Sequence, residues 1–178
     1  KASTFYCRFS RNWSFRIVES TNRSSILVIG IGNEMRGDDG VGLLVARNIA
    51  DACLPNVVVK TLSGDSTQLF QLWEGFSNVI VIDAVDAHAT PGKRFTISAS
   101  TSLLFRGLFS KSSHLFGVID AIELAKELEN LPPQFIFYGI QIKSVELTEG
   151  ISDSVRKSAQ ELSDYVIENL KRSISMES

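Results

Sequence analysis

Cysteine is nearly absent: Cys7 and Cys53 are the only two in 178 residues. Two thiols cannot build a disulfide framework or a cysteine-ligated metal site, and they are expected to be reduced, structural side chains. Apolar runs are short as well. None approaches the roughly 20 residues of a membrane span, so no stretch reads as a transmembrane helix and no membrane partner is expected. A surplus of positive charge is missing: the formal net charge is −2, which gives no basis for nucleic acid as a partner. Several catalytic signatures are also absent. There is no Gly-x-Ser-x-Gly elbow, which argues against an α/β-hydrolase. There is no His-Glu-x-x-His, which excludes the common zinc-peptidase helix. Neither cysteine has a histidine beside it in sequence to support a thiol nucleophile.

What remains is an ordinary globular composition, 44% hydrophobic and 21% charged, with enough chain for one well-formed core. Charge is unevenly spread. Residues 1–25 hold five basic residues and one acid, Glu19, whereas the remainder holds thirteen basic residues and nineteen acids. That first segment is rich in Ser, Arg and aromatics. It has the composition of an organellar transit peptide or of a poorly ordered extension, and is expected to stand outside the fold. The division expected is an extension over 1–25, a domain over 26–172 and a tail over 173–178. The compartment expected is the cytoplasm, or a plastid or other organelle if residues 1–25 are a transit peptide.

The domain is organised around residues 26–42. Ile26 to Ile31 is a short, β-branched apolar run that reads as a buried parallel strand. Leu43, Leu44, Ala46, Arg47, Ile49 and Ala50 then show helical spacing. The intervening glycine-rich loop therefore joins a strand end to a helix start, which is where open α/β sheets bind ligands. It does not match the phosphate-binding loops. A Rossmann fingerprint would need glycine at position 35, where Met35 stands, and a P-loop would need Lys and Ser/Thr after Gly37, where Asp38 and Asp39 stand. Two acids at a helix start suit the helix dipole but repel phosphate. The loop favours a cation or a proton; alternatively, Asp38 caps the helix and Asp39 is a solvated first-turn acid. Gly30, Gly32, Gly40 and Gly42 read as places needing positive φ or close backbone approach, with Asn33 in the same loop.

Further on, strands are expected over 56–62, 78–84 and 134–140, with a shorter edge strand over 93–98. Helices are expected over 67–74, capped by Asp65 or Ser66, and over 115–128, with Ile119, Ile122, Leu124, Ala125 and Leu128 apolar. A last helix is expected over 153–170, with Val155, Ala159, Leu162, Val166, Ile167 and Leu170 on one stripe. Residues 99–113 give no clear pattern. Alternation of strands and helices predicts a single α/β domain with a mostly parallel sheet sandwiched between helices.

Three residues fall where chemistry would be placed. Asp39 follows the first strand, Asp83 closes the third, and His114 precedes a helix. Two carboxylates and an imidazole suit a first-row divalent metal with open positions for water or substrate. Each has a plainer role open to it: a strand-end acid can satisfy a nearby helix terminus, and a histidine before a helix can be a cap. Asp86 and His88 form a rival cluster near Asp83, in a turn where solvated polar residues are the default.

The stretch Gly30-Ile-Gly-Asn-Glu-Met-Arg-Gly-Asp-Asp-Gly-Val-Gly42 resembles the opening motif of the hydrogenase maturation endopeptidases. Further stretches match in order: Ser63-Gly-Asp-Ser-Thr-Gln-Leu69, Leu72-Trp-Glu-Gly75, Val79-Ile-Val-Ile-Asp-Ala84 with Pro91-Gly92, Ser113-His-Leu-Phe-Gly117 running into Ala121-Ile-Glu-Leu-Ala125, Leu131-Pro132 and Tyr138-Gly-Ile140. The resemblance spans about residues 25–170. It implies a twisted five-stranded sheet between helices and removal of the C-terminal extension from a nickel–iron hydrogenase large-subunit precursor. It also implies that Asp39, Asp83 and His114 are the catalytic residues and metal ligands, and that nickel is carried by the substrate and read by this incomplete site, another divalent metal being possible. Two departures stand out: the first ligand is the shorter Asp39 where some members have Glu, and Gln141 stands where others have glutamate. A chaperone that inspects the metal without cutting, or an organellar relative with a different substrate, are the alternatives.

Overall fold

Ile26–Ile31 forms the first strand, β1, because its β-branched side chains can be buried on both faces of a sheet only if helices cover each side. The computed structural model describes residues 25–63, 68–98, 113–146 and 150–176; the side chains of residues 113–117, 119 and 120 lie outside that description. After β1 come a 3₁₀ turn (Gly37–Gly40), α1 (Val41–Asp51), β2 (Val57–Leu62), α2 (Leu69–Trp73), β3 (Asn78–Val85), β4 (Arg94–Ser98), α3 (Ser113–Glu127), β5 (Gln134–Gln141) and α4 (Asp153–Met176). The five strands lie in the order β2-β1-β3-β5-β4. All pairings are parallel except that of the edge strand β4 with β5, giving the α/β architecture expected.

Two apolar layers hold the sheet. Leu27, Ile29 and Ile31 of β1 with Val79, Val81 and Val85 of β3 pack beneath α2 and α3, around Trp73 and Phe135. Val28, Ile82, Ala84, Tyr138 and Ile140 pack on the opposite face against α1 and α4, whose Val155, Ala159, Leu162, Val166 and Leu170 form the stripe read from the sequence. α4 runs further than its apolar period, to Met176. α3 buries Val118, Ala121, Ile122 and Ala125, while Leu124 and Leu128, expected on its apolar face, are exposed. The expected caps Asp65 and Ser66, and residues 99–112, lie outside the described residues. No helix among the described residues is long and apolar enough to cross a membrane.

The sheet order places the functional edge. The chain leaves β1 towards β2 through α1, then passes back across β1 to β3 through α2. The reversal of direction lies between β1 and β3, and at their carboxyl ends it opens a crevice between oppositely directed connections. The loop after β1 and the last residues of β3 border that crevice. α3 is joined to the amino end of β5 by a link of a few residues, so its own amino end points back towards the carboxyl edge.

Candidate active site

The glycine loop is shaped by contact, not by looseness. Gly32 has φ +149°, and a Cβ there would overlap the carbonyl oxygen of Asp39. Gly30 and Gly42 face each other where α1 meets β1, and a Cβ on either would strike backbone of the other element. Gly40 does not fit the expectation: its φ is −77°, and a Cβ would find only ordinary contacts, the nearest at 3.4 Å. Gly37, not singled out from the sequence, has φ +51° instead. Asn33 takes part locally, its Oδ1 accepting the Met35 N–H at 2.9 Å.

The two adjacent acids of the 3₁₀ turn do different things. Asp38 is 1% exposed and makes no cap of its own helix. Its carboxylate instead accepts hydrogen bonds from the connection between β5 and α4: from the N–H groups of Lys143 (2.7 Å), Ser144 (3.1 Å) and Ser152 (2.6 Å), and from the Ser152 hydroxyl (3.0 Å). Asp39 is 6% exposed, and its Oδ2 has no hydrogen-bond partner among the described residues. The reading of Asp39 as a solvated acid is therefore overturned, as is that of Asp38 as a helix cap.

Asp83 is fully buried near the end of β3. Its Oδ1 accepts the Ala84 N–H at 2.7 Å, whereas Oδ2 is unpartnered. Burial pushes its carboxyl up to about 8, the Ala84 N–H opposes that shift, and the nearby charge of Asp39 adds to it. The fold thus brings Asp39 and Asp83 together across the crevice, each with one buried oxygen unused. A buried carboxylate oxygen without a donor is costly, and such oxygens are suited to a cation or a shared proton. His114 occupies the first turn of α3, at the end of the helix directed to this edge, one residue inside the helix and not before it. Its side chain lies outside the described residues.

The rival cluster does not assemble. Among the described residues no three His, Cys, Asp or Glu side chains gather to hold an ion. His88 is exposed, with its Nδ1 3.6 Å from Asp86 Oδ1. Asp86 is engaged by Gln141, a residue whose structural part was not read from the sequence beyond its departure from the motif. Gln141 is 3% exposed and uses its whole carboxamide: Oε1 accepts from the Ala87 (2.8 Å) and Ala89 (3.2 Å) N–H groups, and Nε2 donates to Asp86 Oδ1 (3.2 Å) and the Ile142 carbonyl (3.0 Å). A polar residue ending an otherwise apolar strand is the signal that points to such a part. On the other side of the glycine loop lies a cleft of about 300 Å³ lined by Gly32, Asn33, Glu34, Leu43, Arg47 and Thr61 among others. Arg47 and Glu34 form an ion pair on its wall.

Residues 55–169 match the sequence profile of the hydrogenase maturation protease family, HycI. The chain is 30% identical over 151 residues to the hydrogenase expression/formation protein HupD of Rhodobacter capsulatus, covering 84% of this chain and 70% of that one. It is 27% identical over 146 residues to HupD of Bradyrhizobium diazoefficiens, covering 78% and 76%. Among solved structures, the NiFe hydrogenase maturation protease HybD from Thermococcus kodakarensis superposes with a TM-score of 0.66 at 26% identity, over 82% of this chain and 99% of that one. The hydrogenase maturating endopeptidase HybD from E. coli has the same fold, with a TM-score of 0.68 at 20% identity over 84% and 93%.

Proposed function

The chain belongs to the hydrogenase maturation protease family and is a peptidase, and we propose that it removes the C-terminal extension of a nickel–iron hydrogenase large-subunit precursor at the Asp39–Asp83 crevice. The observation that carries this placement is the pair of buried, unpartnered oxygens, Asp39 Oδ2 and Asp83 Oδ2, at the sheet's point of reversal. Asp39 and Asp83, with His114 from the first turn of α3, would hold the divalent ion. The donor chemistry fits: two carboxylates with free buried oxygens suit a first-row divalent cation. In this reading the ion is nickel that arrives already bound to the precursor and is therefore substrate. When bound it supplies a positive charge able to polarise a carbonyl or lower the pKa of a water.

The chain's own residues set up that encounter. Without a cation, Asp83 stays protonated at neutral pH, and because its Oδ1 is occupied by the Ala84 N–H, the proton sits on Oδ2. Asp83 then adds no buried negative charge beside Asp39. A site of two acids and one histidine is incomplete, so it retains a cation weakly until the substrate adds its own ligands. That incompleteness restricts the enzyme to precursor that has received its metal.

The test is direct. Purified protein is mixed with nickel-loaded large-subunit precursor and the large subunit is weighed by mass spectrometry. A shortened subunit is expected with the wild-type chain, and none with Asp83→Asn, with His114→Ala or with nickel-free precursor. An intact subunit after incubation with folded wild-type protein overturns the proposal. Binding without shortening points instead to a chaperone that inspects the metal.

A further inference from the structure

Asp38 and Asp39 are consecutive in one 3₁₀ turn, whose three-residue period sets successive side chains roughly 120° apart. Asp39 is thereby directed to Asp83, and Asp38 to the connection between β5 and α4. The attachment there is extensive. Besides the four hydrogen bonds its carboxylate accepts, Asp38 donates its own N–H to the Ser144 carbonyl at 3.1 Å. Gly37 lets the connection come close: a Cβ on it would stand 3.0 Å from the Glu146 carbonyl oxygen and 3.2 Å from that of Ser144. The other side of this attachment is rigid. Ser152 immediately precedes α4, its carbonyl accepting the Arg156 N–H at 2.8 Å, and α4 is packed on α1 and the sheet.

From these contacts we infer that Asp38 is a positioning residue: it fastens the 3₁₀ turn to the start of α4 and so holds the Asp39 carboxylate against Asp83. The inference rests on the reading of Asp39 as a cation ligand. A purely structural role would make Asp38 matter to stability alone; a positioning role makes it matter to cation affinity in protein that is still folded. Groups that orient metal ligands cost 10- to 100-fold in affinity when removed.

The experiment titrates the full chain with Ni²⁺ by calorimetry, at a temperature where every variant is folded. Asp38→Asn keeps the side chain's size but turns an amide towards N–H donors, and is expected to weaken Ni²⁺ binding about 10- to 100-fold. Ser152→Ala removes one of the four bonds and should weaken it about several-fold. Asn48→Ala is the control: it breaks the 3.0 Å bond from Asn48 to the Ser163 hydroxyl, which joins α1 to α4 further along both helices. It should lower the melting temperature and leave affinity unchanged. Unchanged affinity in Asp38→Asn overturns the inference, as do equal losses in Asp38→Asn and Asn48→Ala. If Asp38→Asn does not fold, Ser152→Ala against Asn48→Ala decides. If wild-type protein binds no Ni²⁺, the metal reading fails by itself, and the ¹³C carboxyl resonance of Asp39 then decides: displaced in Asp38→Asn it supports positioning, superimposable it overturns it.

Discussion

Asp83 lies directly beside Gly139 in the parallel pairing of β3 with β5, so the buried carboxylate has a strand neighbour without a side chain. The space is already claimed. A Cβ on Gly139 would stand 2.6 Å from Cγ1 of Val85 and 3.2 Å from Cε1 of Phe137, and a β-branched neighbour has little rotamer freedom to yield. Gly139→Ala is expected to cost about 1–3 kcal/mol in urea unfolding, the usual penalty for overpacking.

Asp83 should also leave a signature in the pH dependence of stability. Its carboxyl titrates at about 8 when folded, against about 3.9 for an aspartate in an unfolded chain. Between those values the folded protein holds a proton that the unfolded chain has released. Stability from this group is therefore complete below pH ~4 and is lost as pH rises to ~8, by at most about 1.4 kcal/mol per unit. In chelator, Asp83→Asn should remove that slope and make the variant the more stable protein at pH 8. Parallel curves for the two proteins, from urea unfolding at pH 5 to 8, would contradict this.

Gly32 is the loop position least able to accept a side chain, since both its φ of +149° and the Asp39 carbonyl oppose one. Gly32→Ala is expected to lose at least about 2 kcal/mol, in line with forced residence in a glycine-only region. Glu74→Ala, at an exposed site just after α2, should stay within about 0.5 kcal/mol. Thermal melts of the two variants side by side provide the check.

Gln141 donates and accepts with one carboxamide, and a carboxylate can only accept. Gln141→Glu keeps the partners of Oε1 but sets an oxygen against Asp86 Oδ1 and the Ile142 carbonyl. A loss of about 1–3 kcal/mol or more is expected at pH 8, from like charge and two missing donations, and a smaller loss at pH 5, where the new carboxyl can take a proton. Faster amide exchange at Ala87 and Ala89 would locate the damage in the turn after β3.

The strands were legible because burial on both faces leaves long β-branched runs such as Val79–Ile82. The layer each residue joins follows from alternation once the strands are known. Their order does not, since pairing β1 with β3 instead of β5 leaves no local trace. Periodicity misassigned Leu124 and Leu128 because the buried stripe of α3 runs through Val118, Ala121, Ile122 and Ala125, which leaves Leu124 on the outer face, and Leu128 lies past the end of the helix. It stopped α4 at Leu170 because the apolar stripe ends there, while Lys171–Met176 continue the helix without burial. At the candidate site, the loop after β1 and the end of β3 singled out Asp39 and Asp83 in the sequence, and the structure buries both. The separate duty of Asp38 was hidden because its partners, Lys143, Ser144 and Ser152, are distant in the chain and contribute mostly backbone.

The crevice has a consequence for how the protein comes into being. Asp39 and Asp83 meet only when β1 and β3 are paired, with α1, β2 and α2 all intervening in the sequence. Such non-local pairing forms late and slowly compared with helices. A zinc finger recruits its ion to direct collapse; here the two acids are still apart in the nascent chain, and the sheet must assemble around them on its own resources, Asp83 taking up a proton as it is buried. On the proposed reading, cation capture would be the last event in the history of the molecule, open only to a chain whose architecture is already complete.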